Sequence, residues 1–144
     1  VYCVCILQNN VAWEECPLGL QVGVDLVAIN RIERILQRYP ERFLRRVLSA
    51  EEIAVFEKKG ARPETLAAAF AAKEAVLKAI GCGIGPAALN EVTVLAAPGC
   101  RPLVKLSGEA KRLAAENNIA DITVSMTHEP PFACAIAAAS TDTG

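Results

Sequence analysis

From Gln21 to Val27 the chain reads Gln-Val-Gly-Val-Asp-Leu-Val, a β-branched alternating run after Pro17 and Gly19 that predicts a first strand ending near Asp25. The period then changes. From Ala28 to Tyr39, Ile29, Ile32, Ile35 and Leu36 recur at helical spacing with arginines on the other faces, and Pro40 closes that helix and opens a short second one through Leu48. Ser49-Ala-Glu-Glu52 has the Ser-x-x-Glu form in which two side chains satisfy each other's orphan backbone N–H groups, so a third helix starts there.

Pro63 and Gly81 bracket an Ala-rich segment in which Leu66, Phe70, Leu77 and Ile80 form one stripe, the longest helix expected. Beyond the glycine cluster Gly81-Cys-Gly-Ile-Gly85, the runs Glu91 to Leu95 and Leu103 to Leu106 flank a Pro98-Gly99 turn and predict a hairpin. Ser107 is placed to cap a helix reaching Asn117. Ile122 to Thr127 and Phe132 to Ala138 then read as two strands joined through His128-Glu-Pro-Pro131. This order predicts an α+β fold, helices packed on a mainly antiparallel sheet. Residues 1–20 read as an N-terminal extension without an assigned role, 21–140 as one domain and 141–144 as a tail.

A chain of 144 residues supports one domain, and 53% hydrophobic content with only 5% aromatic residues excludes disorder. The longest apolar runs, Leu66 to Ala72 and Phe132 to Ala139, stop far short of the roughly 20 residues of a membrane span. With a net charge of −1 no global field draws the chain to nucleic acid or anionic lipid, so neither is expected as a partner. The local field differs. Arg31 to Arg46 carries six arginines against Glu33 and Glu41, a net of +4, which suits either an acidic partner or an ordinary solvated helix face. The six cysteines (Cys3, Cys5, Cys16, Cys82, Cys100, Cys134) lack zinc-site spacing and follow no signal peptide, so a reduced, cytoplasmic setting is the expectation.

Glu74 and Lys78 stand four apart in the direction that favours an intrahelical ion pair, which by itself is an ordinary surface feature. Their surroundings are not ordinary. Lys73 and Glu74 interrupt a helix otherwise made of Ala and aliphatic residues, so these charges fall where packing is expected. Asp25 is the one acid in the apolar run Leu18 to Ile29, where a carboxylate is costly unless it meets a cation. Asp25 and Glu74 together offer the hard oxygen ligands that Mg2+ takes from protein. A capping acid before Ala28 accounts for Asp25 equally well. Three glycines in Gly81–Gly85 exceed a helix stop and allow backbone N–H groups to approach phosphate, although the pattern is no nucleotide-binding fingerprint. The sole histidine, His128, fits both a site residue and a hydrogen-bonded surface residue.

Taken together, Val22-Gly-Val-Asp-Leu26, Phe70-Ala-Ala-Lys-Glu-Ala75 with Lys78, Gly81-Cys-Gly-Ile-Gly85 and Val124-Ser-Met-Thr-His128 resemble, in order and spacing, the motifs of the holo-[acyl-carrier-protein] synthases, the small class of 4′-phosphopantetheinyl transferase. The resemblance covers about Val22 to Ala139. It implies the 4′-phosphopantetheinyl transferase fold, a homotrimer with sites at subunit boundaries, and Mg-dependent transfer of 4′-phosphopantetheine from coenzyme A to a serine of apo acyl carrier protein, in support of fatty acid biosynthesis.

By that resemblance Asp25 and Glu74 hold Mg2+, Lys78 lies near the diphosphate with Lys73 helping to neutralise it, and His128 belongs to the coenzyme A site with Gly81, Gly83 and Gly85. Arg31, Arg42, Arg45 and Arg46 match the basic surface that meets the carrier protein. This chain departs from the pattern at Ala69, where the family usually has Arg, and at Cys82, where it usually has Thr. The competing functional readings are a non-catalytic module that docks an acidic carrier domain, and a phosphate-binding enzyme of other chemistry. Keeping Asp25, Glu74, Lys78 and His128 together would be needless for docking alone.

Overall fold

The structure, a computed structural model, describes residues 19–82 and 85–141. Strand β1 (Leu20–Ala28) leads into four helices, α1 (Ile29–Arg38), α2 (Pro40–Val47), α3 (Ala50–Lys58) and α4 (Pro63–Ala79). A 3-10 turn (Leu89–Glu91), the hairpin β2 (Val92–Leu95) and β3 (Leu103–Leu106), helix α5 (Gly108–Glu116), and strands β4 (Ile119–Glu129) and β5 (Phe132–Thr141) follow. The strands form two antiparallel sheets, β1-β5-β4 and β2-β3, with the helices packed on them, which is the α+β arrangement expected from the sequence. Cys3, Cys5, Cys16, Pro17 and Gly83 lie outside the described residues, as does most of the expected extension and tail.

Four expectations need correction. β1 does not end near Asp25 but continues to Ala28, because every residue through Ala28 is paired with β5. Leu20 and Thr141 belong to strands rather than to an extension and a tail, and the Thr141 N–H donates to the Gly19 carbonyl at 2.8 Å. Ser107 makes no side-chain cap on α5; Glu91 Oε2 accepts from the Ala110 N–H at 3.2 Å instead, and the Ser107 hydroxyl donates to the Glu91 carbonyl. The single stripe expected on α4 is in fact burial around most of the helix, from Leu66 to Ala79.

The reason for that burial is positional. Helix α4 lies on the face of β1-β5-β4 and also packs against α1 and β2, so small side chains are needed on several sides. Ala133, Ala135, Ala137 and Ala139 of β5 face it from the sheet, all buried. At Gly23 the two backbones touch: a Cβ there would stand 2.0 Å from the Ala75 carbonyl oxygen and 2.7 Å from the Ala79 nitrogen. Only glycine allows this approach, and it brings the middle of β1 against the C-terminal half of α4. The opposite face of the sheet is unlike this one, since Val22, Val24, Leu26, Phe132 and Ile136 remain between 46% and 57% exposed.

Candidate active site

Strand alternation turns Gly23, Asp25 and Val27 toward α4, leaving Asp25 only 8% exposed. Across from it α4 presents Glu74 and Lys78 one turn apart. Lys78 Nζ donates to Asp25 Oδ1 at 2.9 Å and to the Val24 carbonyl at 3.0 Å. The i to i+4 pair that the spacing of Glu74 and Lys78 favours is thus replaced by a pair between helix and strand, because the strand acid is within reach of the lysine.

Glu74 is 7% exposed and has no side-chain hydrogen bond among the described residues. Burial pushes its carboxyl above the ordinary carboxylate range, and the negative charge of Asp25 pushes it further, while Lys78 and Arg31 pull it back. Two carboxylates therefore share a poorly solvated spot with one closely bound lysine. Such a pair gains from an added cation. No group of three or more His, Cys, Asp and Glu forms a metal site among the described residues, but Mg2+ commonly binds through one or two carboxylates and completes its shell with water and phosphate. Asp25 and Glu74 fit that donor set.

Lys73 is a correction to the sequence reading. Its side chain is fully buried and turned away from this cluster, with Nζ donating to Glu52 Oε2 at 2.6 Å, to the Leu89 carbonyl at 3.2 Å and to the Val92 carbonyl. It neutralises no phosphate from there, because all three of its protons are bound within the protein. Neighbouring residues on a helix point about 100° apart, so Lys73 and Glu74 need not serve the same site. Gly81 and Gly85 have φ of +80° and +136°, conformations that favour glycine. Among the described residues, no atom lies within 4 Å of where a Cβ at Gly85 would stand. Cys82, between the helix end and this loop, is buried, and burial raises its thiol pKa.

His128 lies in the row Val27-Ala133-His128 across the sheet, exposed near the end of β4. It lines a cavity of about 690 Å³ formed by α3, the first half of α4, β2 with its following loop, and the end of β4. Lys59, Arg101 and Ala69 share the lining. Asp25, Glu74 and Lys78 do not, so one copy of the chain holds the carboxylate cluster and the His128 cavity as separate places. Sequence reasoning missed Lys59, Arg101 and Glu52. Glu52 carried a signal, since a lysine inside an apolar helix requires a buried acid, but its place in the capping box already explained it.

Arg31, Arg42, Arg45 and Arg46 are exposed on α1 and α2. Arg42 and Arg46 rim a hollow of about 340 Å³ with Ile35, Tyr39 and Phe43. Arg31 differs from the others in that its charge reaches Glu74.

The family model described as the 4′-phosphopantetheinyl transferase superfamily matches residues 21–137, and this fold falls in that class. The chain is 40% identical over 118 residues to the holo-[acyl-carrier-protein] synthase of Moorella thermoacetica, covering 82% of this chain and 91% of that protein. Among solved structures it matches the holo-ACP synthase of Plasmodium yoelii with a TM-score of 0.75 at 31% identity, covering 85% of this chain and 95% of that one. It also matches the Helicobacter pylori holo-[acyl-carrier-protein] synthase, solved in complex with coenzyme A, with a TM-score of 0.71 at 34% identity over 83% and 99% of the two chains. The chain belongs to the holo-[acyl-carrier-protein] synthase family.

Proposed function

We propose that this chain moves the 4′-phosphopantetheine group of coenzyme A onto a serine of apo acyl carrier protein, releasing adenosine 3′,5′-bisphosphate and supporting fatty acid biosynthesis. The observation that carries this reading is the meeting of Asp25, Glu74 and Lys78 on two unconnected elements of a chain from this family. Asp25 and Glu74 would hold Mg2+, which when bound supplies positive charge to the coenzyme's diphosphate.

In the transfer, the serine oxygen forms a bond to the β-phosphorus while the bond from that phosphorus to the oxygen bridging to the α-phosphate breaks. The electron pair leaves with that oxygen. Lys78, a cation at the edge of the acid cluster, is suited to stabilise or protonate it. Glu74, whose burial raises its proton affinity, is suited to take the serine proton directly or through a water. The backbone at Gly81 and Gly85 offers a close approach to phosphate, and the His128 cavity suits the nucleotide end of the coenzyme.

The exposed apolar face of β1 and β5 supports assembly into a homotrimer, since water disfavours a contiguous patch of this kind. A neighbouring copy could then bring its His128 cavity to this chain's carboxylates. Arg31, Arg42, Arg45 and Arg46 would meet the acidic surface of the carrier protein.

The test is to incubate the protein with apo acyl carrier protein, coenzyme A and Mg2+ and weigh the carrier by mass spectrometry. A gain of one phosphopantetheine is expected. No gain at high enzyme concentration, with carrier binding retained, would leave the non-catalytic docking module as the function.

A further inference from the structure

Lys73 and Glu52 form the one ion pair among the described residues that is buried on both sides, at 0% and 5% exposure. A pair removed from water this fully gives little or no net stability over apolar packing, so its presence calls for another reason. The backbone of β2 supplies one. Strand β2 pairs with β3 along one edge only. Val92 and Val94 are two residues apart on it, so the Val92 carbonyl and the Val94 N–H leave the strand on the same side.

Lys73 donates to the Val92 carbonyl, and Glu52 Oε1 accepts from the Val94 N–H at 2.8 Å. Glu52 Oε2 holds Lys73 at 2.6 Å and also takes the Ser49 N–H at 2.7 Å. The pair therefore stands where a further strand would, offering a donor to the carbonyl and an acceptor to the N–H. Unlike an isolated ion pair, it cannot be exchanged for apolar side chains without orphaning buried backbone groups. It fastens α3, α4 and β2 at one point, and these elements wall the cavity that His128 lines, where Glu52 and Val94 are themselves exposed to the interior.

We infer that Lys73 and Glu52 are positioning residues for this cavity. They hold β2 and the loop leading to Arg101 against α3 and α4, and so set the affinity for the nucleotide end of coenzyme A rather than the rate of transfer. The inference rests on the proposed reading of the cavity as the coenzyme site.

Titration calorimetry with coenzyme A and with adenosine 3′,5′-bisphosphate, together with steady-state kinetics, tests it on the wild type, Glu52→Gln, Lys73→Met and Lys73→Arg. The exposed Glu116→Gln serves as control. Glu52→Gln and Lys73→Met should raise the Kd of both ligands and the KM for coenzyme A by about tenfold, with kcat and the KM for carrier protein within about twofold of wild type. Lys73→Arg, which keeps the charge and the donors, should recover part of the affinity. Folded variants with wild-type Kd, or with kcat lowered and Kd unchanged, would overturn the inference. A measurement that needs no variant is amide exchange of residues 92–97 in the wild type, which coenzyme A should slow; unaltered exchange on saturation would also overturn it. Wild-type protein that binds no coenzyme would refute the proposed function itself, whereas wild-type binding with unaltered variants would refute the positioning role alone.

Discussion

Lys78 of α4 lies across Asp25 of β1, with Nζ 2.9 Å from Oδ1, although 53 residues separate them in the chain. The lysine thereby occupies, with its own charge, the acid that a divalent cation would need. Removing that charge should favour the cation: Lys78→Gln is expected to bind Mn2+ about tenfold more tightly without coenzyme, since a unit charge a few ångströms away is worth about a kcal/mol or more at a partly buried site. Electron paramagnetic resonance titration of free Mn2+ reads this directly. Weaker binding would mean that the lysine orients Asp25 for the metal instead of competing with it. Transfer activity should fall in the same variant, so affinity and rate move in opposite directions.

Asp25→Asn and Glu74→Gln each remove a hard anionic ligand while keeping the side-chain shape. Turnover with Mg2+ is expected to drop by about a hundredfold or more in each, with little loss of folding, because neither carboxylate holds the core together. Single-turnover transfer to the carrier, read by mass spectrometry beside a melting curve, checks both halves of the expectation. Unchanged rates in both variants would remove the acid cluster from the mechanism.

Glu74 also makes a statement about stability. Its folded pKa lies above the ordinary 4.5, through burial first and Asp25 second, so the folded state holds its proton more tightly than the unfolded chain does. That contribution is fully present below the unfolded value and disappears as the pH rises through the folded one. At neutral pH, without divalent cation, Glu74→Gln should therefore melt measurably higher than wild type. The difference should vanish below pH 4.5. Thermal melts across that range in chelator decide it, and a lower melting temperature at neutral pH would contradict the electrostatic account.

The elements were legible where a local rule governs them. Pro40, Pro63 and the Ser49–Glu52 box start helices in the structure as they do on paper, because N-terminal proline and reciprocal capping act within one turn. The roles of the charges on α4 were legible only in part. Asp25, Glu74 and Lys78 do meet, yet their pairing depends on how near β1 approaches, which Gly23 decides by contact with a residue more than fifty positions away. Lys73 was misread for the same reason: its neighbour Glu74 looks alike in sequence, and only the packing of α3 and β2 shows that the two point to different places. The cavity with Lys59 and Arg101 had no sequence signal, since its walls come from segments joined only by the fold.

Gly23→Ala tests that approach. The new methyl would lie 2.0 Å from the Ala75 carbonyl, a backbone atom that cannot rotate aside, so β1 and α4 must separate. A loss of about 1–3 kcal/mol or more in denaturant unfolding is expected, as for other overpacked cores. Activity should fall further than stability, because the shift carries Asp25 away from Glu74. A variant with wild-type stability would show that the contact relaxes without cost.

Arg42 and Arg46 are better tests of carrier docking than Arg31. All three are exposed, but the charge of Arg31 also lowers the proton affinity of Glu74, so reversing it would disturb the acid cluster as well as the surface. Arg42 and Arg46 border the hollow beside Tyr39 and carry no such coupling. Arg42→Glu/Arg46→Glu should raise the KM for acyl carrier protein by about tenfold or more at low salt, with kcat and the KM for coenzyme A near wild type. Added salt should narrow the gap, since charges exposed on both partners are screened over about 8 Å at physiological ionic strength. An equal KM at low salt would take the docking role away from these helices. A change in kcat alone would instead place the two arginines with the transfer step.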